Sequence, residues 1–521
     1  MKKRAKFNLS NFHNCTLKMG QLYPVHLQEV LPGDSIQQST SVFLRFAPMV
    51  APVMHPVYMF AHTFFCSSRV LGNLVNWDFE SFITGGDDGN DVQTIPQLVL
   101  NATNSPVGSL ADAFGLPMQS LASGNTFSVN MLPFLMYYLI WNEYYRDQDL
   151  QTEVSFEDWI SGYTPSSLSL LAPCWSKDYF TTARPWPQKG PEVTIPVNLT
   201  SGGSPLISAQ TTISGNGTPQ VKFVGGNGLA QTLAKQSDST NVFYNDESTG
   251  SPSGMGRMQW IDPKLSAQTD ITWNGGPDTT GNITVNDLRE GFAIQRFEEH
   301  RALWGSRYED LLRYLGVRPL DARLQLPEYL GGFSSPVQFS EVLQTSAGET
   351  GGVGDLYGHG ISAARGRRIR RFIPEHGYIM TLLCVRPISV YAQGIERLWK
   401  KSTKYDFWTK ELEHIGQQEV LNSEVFADGS TEDGNTFGFQ NRYDEYRRGV
   451  SVVTGEFRTN QDFWTLARIF ANRPALNSDF VECTPSDRIF QVGEQNSDQL
   501  YAMVKNNVIA KRLVSKNGNP I

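Results

Sequence analysis

With 521 residues, the chain exceeds an ordinary single domain and holds either two domains or one core with large insertions. Its 46 glycines and 28 prolines, with 12% aromatic and only 18% charged residues, favour the second: a loop-rich protein with aromatic surface suited to burial among copies of itself. A formal net charge of −8 excludes a protein that is basic all over, so any nucleic-acid binding is confined to one face.

Residues 1–20 carry Lys2, Lys3, Arg4, Lys6 and Lys18 with no apolar period, which reads as a flexible basic arm. Such an arm either lies along phosphates or is an exposed start of chain with no partner. No apolar stretch follows it, so no secretory signal is read. Ile36–Phe46 alternates as a half-buried strand, whereas Val57–Cys66 is apolar on both faces and sits deeper. Gly85–Asp91 gathers aspartates among glycines but lacks the spacing of a calcium loop, so it reads as a solvated acidic loop, as does Asp428–Asn435. No metal site is expected.

Asn130 can cap a helix with Pro133 in its first turn, running through Leu135, Tyr138, Leu139 and Asn142. It is apolar nearly all round and needs cover from its own chain or from another subunit. The run Met131–Trp141 falls well short of the roughly 20 residues that span a bilayer. The segment from Trp175 to Trp186 follows, and its Pro-Trp-Pro reads as rigid and extended.

Between residues 192 and 281 Gly, Ser, Thr and Asn dominate, and the aromatic residues are few: Phe223, Phe243, Tyr244, Trp260 and Trp273. This reads as an exposed insertion that folds against copies of itself. Capping-box patterns at Thr284–Asp287 and Ser306–Glu309 open two helices over 284–316, the second ended by Gly316. His300 has no HExxH partner and reads as a surface or interface histidine. Gly331–Pro336 (GGFSSP) lacks the nucleophile-elbow pattern and reads as a serine-bearing turn; Gly351–Gly360 lacks a phosphate-loop lysine and reads as a flexible connector.

Arg365, Arg367, Arg368, Arg370 and Arg371 then cluster before a turn at Pro374–Gly377. These arginines either grip phosphates or pair with acidic groups of other subunits. The apolar run Tyr378–Val385 reads as a strand buried on both faces, the core of a β architecture. A last strand, Leu500–Leu513, carries Lys505, Lys511 and Arg512, with Lys516 just after. With the first arm it could give an acidic protein one positive surface. The five cysteines are scattered without paired spacing and read as reduced, small apolar residues of a soluble chain made in a reducing compartment.

Two stretches carry a family resemblance. RRFIPEHGYIMTLLCVRP (370–387) and CWSKDYFTTARPWPQKG (174–190) resemble the major capsid proteins of the Microviridae, specifically the gokushovirus type, in wording, order and spacing. The resemblance implies a mainly β fold, an eight-stranded antiparallel jelly roll with long helical and loop insertions. It implies a T=1 shell of about sixty copies enclosing single-stranded DNA, assembled through pentamers with an internal scaffolding protein and minor virion proteins. It also implies that the 192–281 insertion forms threefold protrusions that meet a host surface receptor, with its aromatic residues as candidate contacts. The candidate nucleic-acid contacts are Lys2, Lys3, Arg4, Lys6, Lys505, Lys511, Arg512 and Lys516. No catalytic constellation or cofactor is expected, and the protein belongs in the virion after synthesis in the bacterial cytoplasm. The alternative is a secreted or surface carbohydrate-active β-sandwich protein, for which tryptophans and a carboxylate pair would suffice.

Overall fold

The structure, a computed structural model, describes all residues except 1–3, 88–92, 123, 160–161, 192, 194–198, 203–219, 225–229, 233–256, 262–277, 282–284, 306, 318–324, 344–355, 492–497 and 517–521. The chain divides into two compact units, Met1–Glu192 with Ile294–Ile521, and Val193–Ala293.

The first unit opens with strands β1 (Ala5–Asn8), β2 (Asn11–Leu17), β3 (Tyr23–Val30), β4 (Ser35–Phe46) and β5 (Val57–Ser67). Helices α1 (Ser68–Asn73) and α2 (Phe79–Thr84), strand β6 (Gln97–Asn101), helix α3 (Leu110–Ala113), strand β7 (Thr126–Asn130) and helix α4 (Leu132–Ile140) follow. The second unit holds β8 (Leu199–Gly202), β9 (Gln220–Val224), β10 (Ala230–Thr232), β11 (Arg257–Ile261) and β12 (Asp278–Gly281), and the start of α5 (Val285–Trp304). Back in the first unit come α6 (Tyr308–Tyr314), β13 (Glu328–Pro336), β14 (Gln338–Leu343), β15 (Leu356–Arg365), β16 (Ile369–Phe372) and β17 (Gly377–Pro387). The last elements are β18 (Gln417–Leu421), α7 (Asn422–Val425), β19 (Thr436–Asn441), α8 (Ser478–Val481) and β20 (Leu500–Arg512).

Two antiparallel sheets carry the first unit. The larger has seven strands in the order β1-β20-β4-β15-β14, with β2 also on β20 and β16 also on β4. The smaller has the order β13-β5-β17-β3. The fold is mainly β, and among the described residues the sheets stay open rather than closing into a barrel.

The Tyr378–Val385 run is indeed central: β17 lies between β5 and β3, and Met380, Leu382, Leu383, Cys384 and Val385 are all buried. β4 alternates as expected, with Ile36, Val42, Leu44 and Phe46 turned inward. Between the sheets the inward side chains form a polar seam. Gln38 Nε2 donates to Thr381 Oγ1 at 2.9 Å, Thr381 and Thr63 hydroxyls meet at 2.9 Å, and Thr40 donates to Asn506 at 3.0 Å. A buried hydrogen-bonded network of this kind fixes register, because a slip would strand its donors.

Helix α4 begins where Asn130 Oδ1 accepts from the Leu132 amide at 2.9 Å, and Pro133 occupies its first turn. The α-helix stops at Ile140 rather than continuing to Asn142; one π turn, Trp141–Tyr145, follows. Its own chain covers it. The buried Tyr137 hydroxyl donates to the Leu22 carbonyl and accepts from the Leu171 amide, each at 2.9 Å.

Several sequence expectations are corrected. Residues 5–17 are not a flexible arm: β1 and β2 pair in register with β20. Gly331–Pro336 is no turn but part of β13, paired with β5. Glycine is required there by close approach, since a Cβ at Gly332 would lie 2.6 Å from the Ala61 carbonyl oxygen. The second half of Gly351–Gly360 is strand β15, where a Cβ at Gly358 would lie 2.2 Å from the Ala51 carbonyl oxygen. Pro185–Gly190 is a run of bends rather than an extended rod. Gly316, at φ +78°, does end α6, while Thr284 and Ser306 lie outside the described residues.

Candidate nucleic-acid interface

The outward face of the seven-stranded sheet is built by alternation. In β20 the even-numbered residues are buried, so Tyr501, Met503, Lys505 and Lys511 point away from the core. Continuous register transfers this face to the neighbours. Lys511 lies opposite Lys6, Lys505 opposite Phe12 and Ser41, Met503 opposite Phe43, and Tyr501 opposite Arg45. Arg370 of β16 faces Gln37, and Arg365 of β15 faces Ser41, which places both arginines on the same side.

The face therefore joins Lys6, Arg45, Arg365, Arg370, Lys505 and Lys511 with the rings of Phe12, Phe43 and Tyr501. None of the outward positions in these strands is Asp or Glu. In an acidic chain this is a local reversal of charge, and a basic face of this kind suits a polyanion. Lys6 and Lys511 sharpen the point, because like charges directly opposite across an antiparallel pair destabilise it. Among the described residues neither has a carboxylate partner, so an anion between them would remove the repulsion. Lys505 Nζ sits 5.3 Å above the Phe12 ring, which is itself 65% exposed and open to a stacking base. At the Tyr501 end a groove of about 1290 Å³ is lined by Phe12, Phe43, Arg45, Asp112, Asp498 and Tyr501.

The other expected contacts are distributed differently. Arg4 donates to Ser35 Oγ at 3.2 Å and stacks on Phe372 at 5.3 Å, close to this face. Arg512 is committed elsewhere: Nε lies 2.9 Å from Asp34 Oδ2 and Nη2 donates to the Glu29 carbonyl at 2.7 Å. Lys516 is exposed beyond β20, and Lys2 and Lys3 lie outside the described residues. Arg371 pairs with Glu328 of its own chain. Sequence reading missed Arg45, Phe12 and Tyr501 because nothing local marks an outward residue until its strand partners are known.

In the insertion, Phe223 lies in β9 and Trp260 in β11, which pair with each other; Phe243, Tyr244 and Trp273 lie outside the described residues. His300 packs against Tyr314, their ring centroids 5.2 Å apart and the rings tilted by 37°. The Asp428–Asn435 loop is closed by Arg473, whose Nη2 lies 2.7 Å from Asp428 and 2.8 Å from Asp433. Among the described residues no cluster of His, Cys, Asp and Glu is placed to hold a metal, and no helix is long and apolar enough to cross a membrane. The five cysteines are free; burial pushes the Cys66 and Cys384 thiols up to about 12, which makes them inert apolar residues.

The residues thus build an antiparallel β protein one of whose sheet faces is basic and aromatic. Comparison with known proteins gives the family. A family model described as "Capsid protein (F protein)" matches residues 1–521, and the chain belongs to that family. It is 32% identical over 502 residues to the capsid protein VP1 of Bdellovibrio phage phiMH2K, covering 93% of this chain and 89% of the relative. It is 30% identical to the VP1 of Chlamydia phage 1, covering 95% and 91%, and 26% identical to that of Spiroplasma virus 4, covering 92% and 87%. The protein is thus a phage capsid protein of the Microviridae type, a structural component of the virion and not an enzyme. The carbohydrate-active alternative has no support.

Proposed function

We propose that this chain is the major capsid subunit of a small icosahedral phage with a single-stranded DNA genome. The observation that carries the DNA-facing part is the sheet face whose outward strand positions hold no Asp or Glu and on which Lys6 and Lys511 stand opposite each other. That face lines the shell interior, where its lysines and arginines neutralise phosphates and its exposed rings stack unpaired bases. Arg4 and Lys516 extend the same surface, Lys2 and Lys3 are further candidate phosphate contacts by their charge, and Arg512 serves chiefly to hold β20 to the turn before β4.

In this reading eight of the strands in the two sheets form a jelly roll, and about sixty copies close a T=1 shell through pentamers. Exposed Leu398, Trp399, Tyr405, Phe407, Trp408 and Ile415 supply apolar surface for subunit contacts. An internal scaffolding protein and minor virion proteins assist assembly in the host cytoplasm. The 192–281 insertion forms the threefold protrusions and meets the host receptor.

The test is the mass of the native particle together with its nucleic-acid absorbance, followed by oligonucleotide binding to the purified subunit across a salt series. A closed shell with DNA is expected, and Lys6→Gln with Lys511→Gln should lower the salt slope by about one per lysine. A subunit from infected cells that never enters particles would refute the capsid role. An unchanged slope would refute the sheet face as the DNA contact.

A further inference from the structure

A second concave site lies on the other side of the protein. The side of the four-stranded sheet turned away from the polar seam presents Phe60, His62 and Phe64 of β5 and Arg386 of β17. Tyr144 and Tyr145 of the π turn and residues 174–177 roof this surface, leaving a cavity of about 510 Å³, within the usual range of small-ligand sites. Its rings are ordered. His62 Nδ1 is 2.8 Å from the Tyr145 hydroxyl, the two rings lie within 16° of parallel, and Tyr329 stands edge-on to His62 with its centroid 5.6 Å away.

Its charge is one-sided. Arg146, Lys177, Arg313 and Arg386 line the cavity, and among the described residues no Asp or Glu does. Arg146 and Lys177 have outside counter-ions, Glu153 and Asp147. Arg386 has none: its Nη1 donates to the Cys174 carbonyl at 2.7 Å, its guanidinium rests 4.8 Å from the Phe60 ring centroid, and among the described residues no carboxylate is within ion-pair distance. A half-buried guanidinium without a counter-ion is costly, and a bound anion with two oxygens to offer relieves that cost.

We propose that this cavity binds a nucleotide, its phosphate on Arg386 and its base among the rings of His62, Tyr145 and Tyr329. The ligand combines a flat aromatic ring with a compact anion, which matches the rings and the unpaired cation together. The site stands on the cavity's own chemistry and does not rest on the capsid reading. Because the cavity opens away from the seven-stranded sheet, its occupant is distinct from a strand lying across that face. The nucleotide comes either from solution or from a separate stretch of strand.

The experiment is calorimetric titration of the full-length chain with dAMP, with inorganic phosphate, with deoxyadenosine and with an octanucleotide. dAMP should bind more tightly than either of its parts. Arg386→Met and Tyr329→Leu should each weaken it about tenfold, the scale of one lost charge-assisted contact or stacked base. Tyr329 is at an exposed strand position, so its variant tests the site if Arg386→Met does not fold. Octanucleotide binding that also falls in both variants identifies a strand as the source, and dAMP binding alone identifies free nucleotide. Absence of dAMP binding at millimolar concentration, or binding indifferent to both substitutions, overturns the proposal. Particle formation by the same variants, scored separately, tells failure of this site from failure of the shell.

Discussion

Asp34 and Arg512 form a buried ion pair that locks the two ends of the chain together. The Asp34 side chain is fully buried, lies 2.9 Å from Arg512 Nε, and also accepts from the Leu31 amide at 3.1 Å. It thereby ties the turn before β4 to the last residue of β20. Removing one partner of such a pair leaves a charge without compensation, at a cost of about 3 kcal/mol. Asp34→Ala should shift the denaturation midpoint accordingly, and Arg512→Met added to it should recover part of the loss. A double variant no more stable than Asp34→Ala would show that the pair contributes through the backbone contact alone.

His26 gives the fold a pH dependence. It is 3% exposed, both ring nitrogens lack a partner among the described residues, and burial first, then the nearby His13, lowers its pKa to about 4. The unfolded chain takes up this proton near pH 6.5 and the folded chain only near 4. Stability is therefore complete above pH 6.5 and declines as pH falls towards 4, by about 3 kcal/mol for this group. His62, also lowered to about 4, adds to the same slope. Thermal melts between pH 4 and 8 should show the decline, and His26→Phe should make it shallower while leaving the part due to His62. An equal slope in the variant would assign the proton uptake elsewhere.

Gly377 opens the central strand where no side chain fits. A Cβ there would lie 2.2 Å from the Cys66 carbonyl oxygen, a backbone atom held by β5 on one side while β3 holds the other. Gly377→Ala should cost about 3 kcal/mol or prevent soluble expression. Gly434→Ala, with nothing within 4 Å, is the control and should be nearly silent. Comparable melting of the two variants would contradict the packing described.

The exposed segment around Trp399 and Trp408 separates folding from assembly. Trp399 is 77% exposed, so its side chain contributes little to the isolated subunit. Trp399→Ser with Trp408→Ser should change subunit stability by less than about 0.5 kcal/mol while lowering particle yield about tenfold. Velocity sedimentation of the assembly products measures it; normal particle yield would place the subunit contact on another surface.

The sequence by itself determined the strands whose burial is written locally. The two-sided apolar run Tyr378–Val385, the alternation of Ile36–Phe46 and the long run from Leu500 all appear where periodicity placed them, and so does the helix after Asn130. It also supplied the charges of the candidate interface in part, through Lys6, Lys505 and Lys511. Only the tertiary structure decided the rest. Residues 5–17 carry no apolar period, because an edge strand is stabilised by backbone hydrogen bonds to a partner, here β20, that lies at the other end of the chain. Gly332 and Gly358 look like turn residues in the sequence but serve as strand residues, because what they accommodate is a distant carbonyl rather than a local bend. The basic face is assembled from β1, β20, β4, β15 and β16, so Arg45 and Arg370 become neighbours of Lys505 and Lys511 only through register. Local periodicity fixes which way a side chain points along one strand; which other strands share that face depends on pairings between residues hundreds of positions apart.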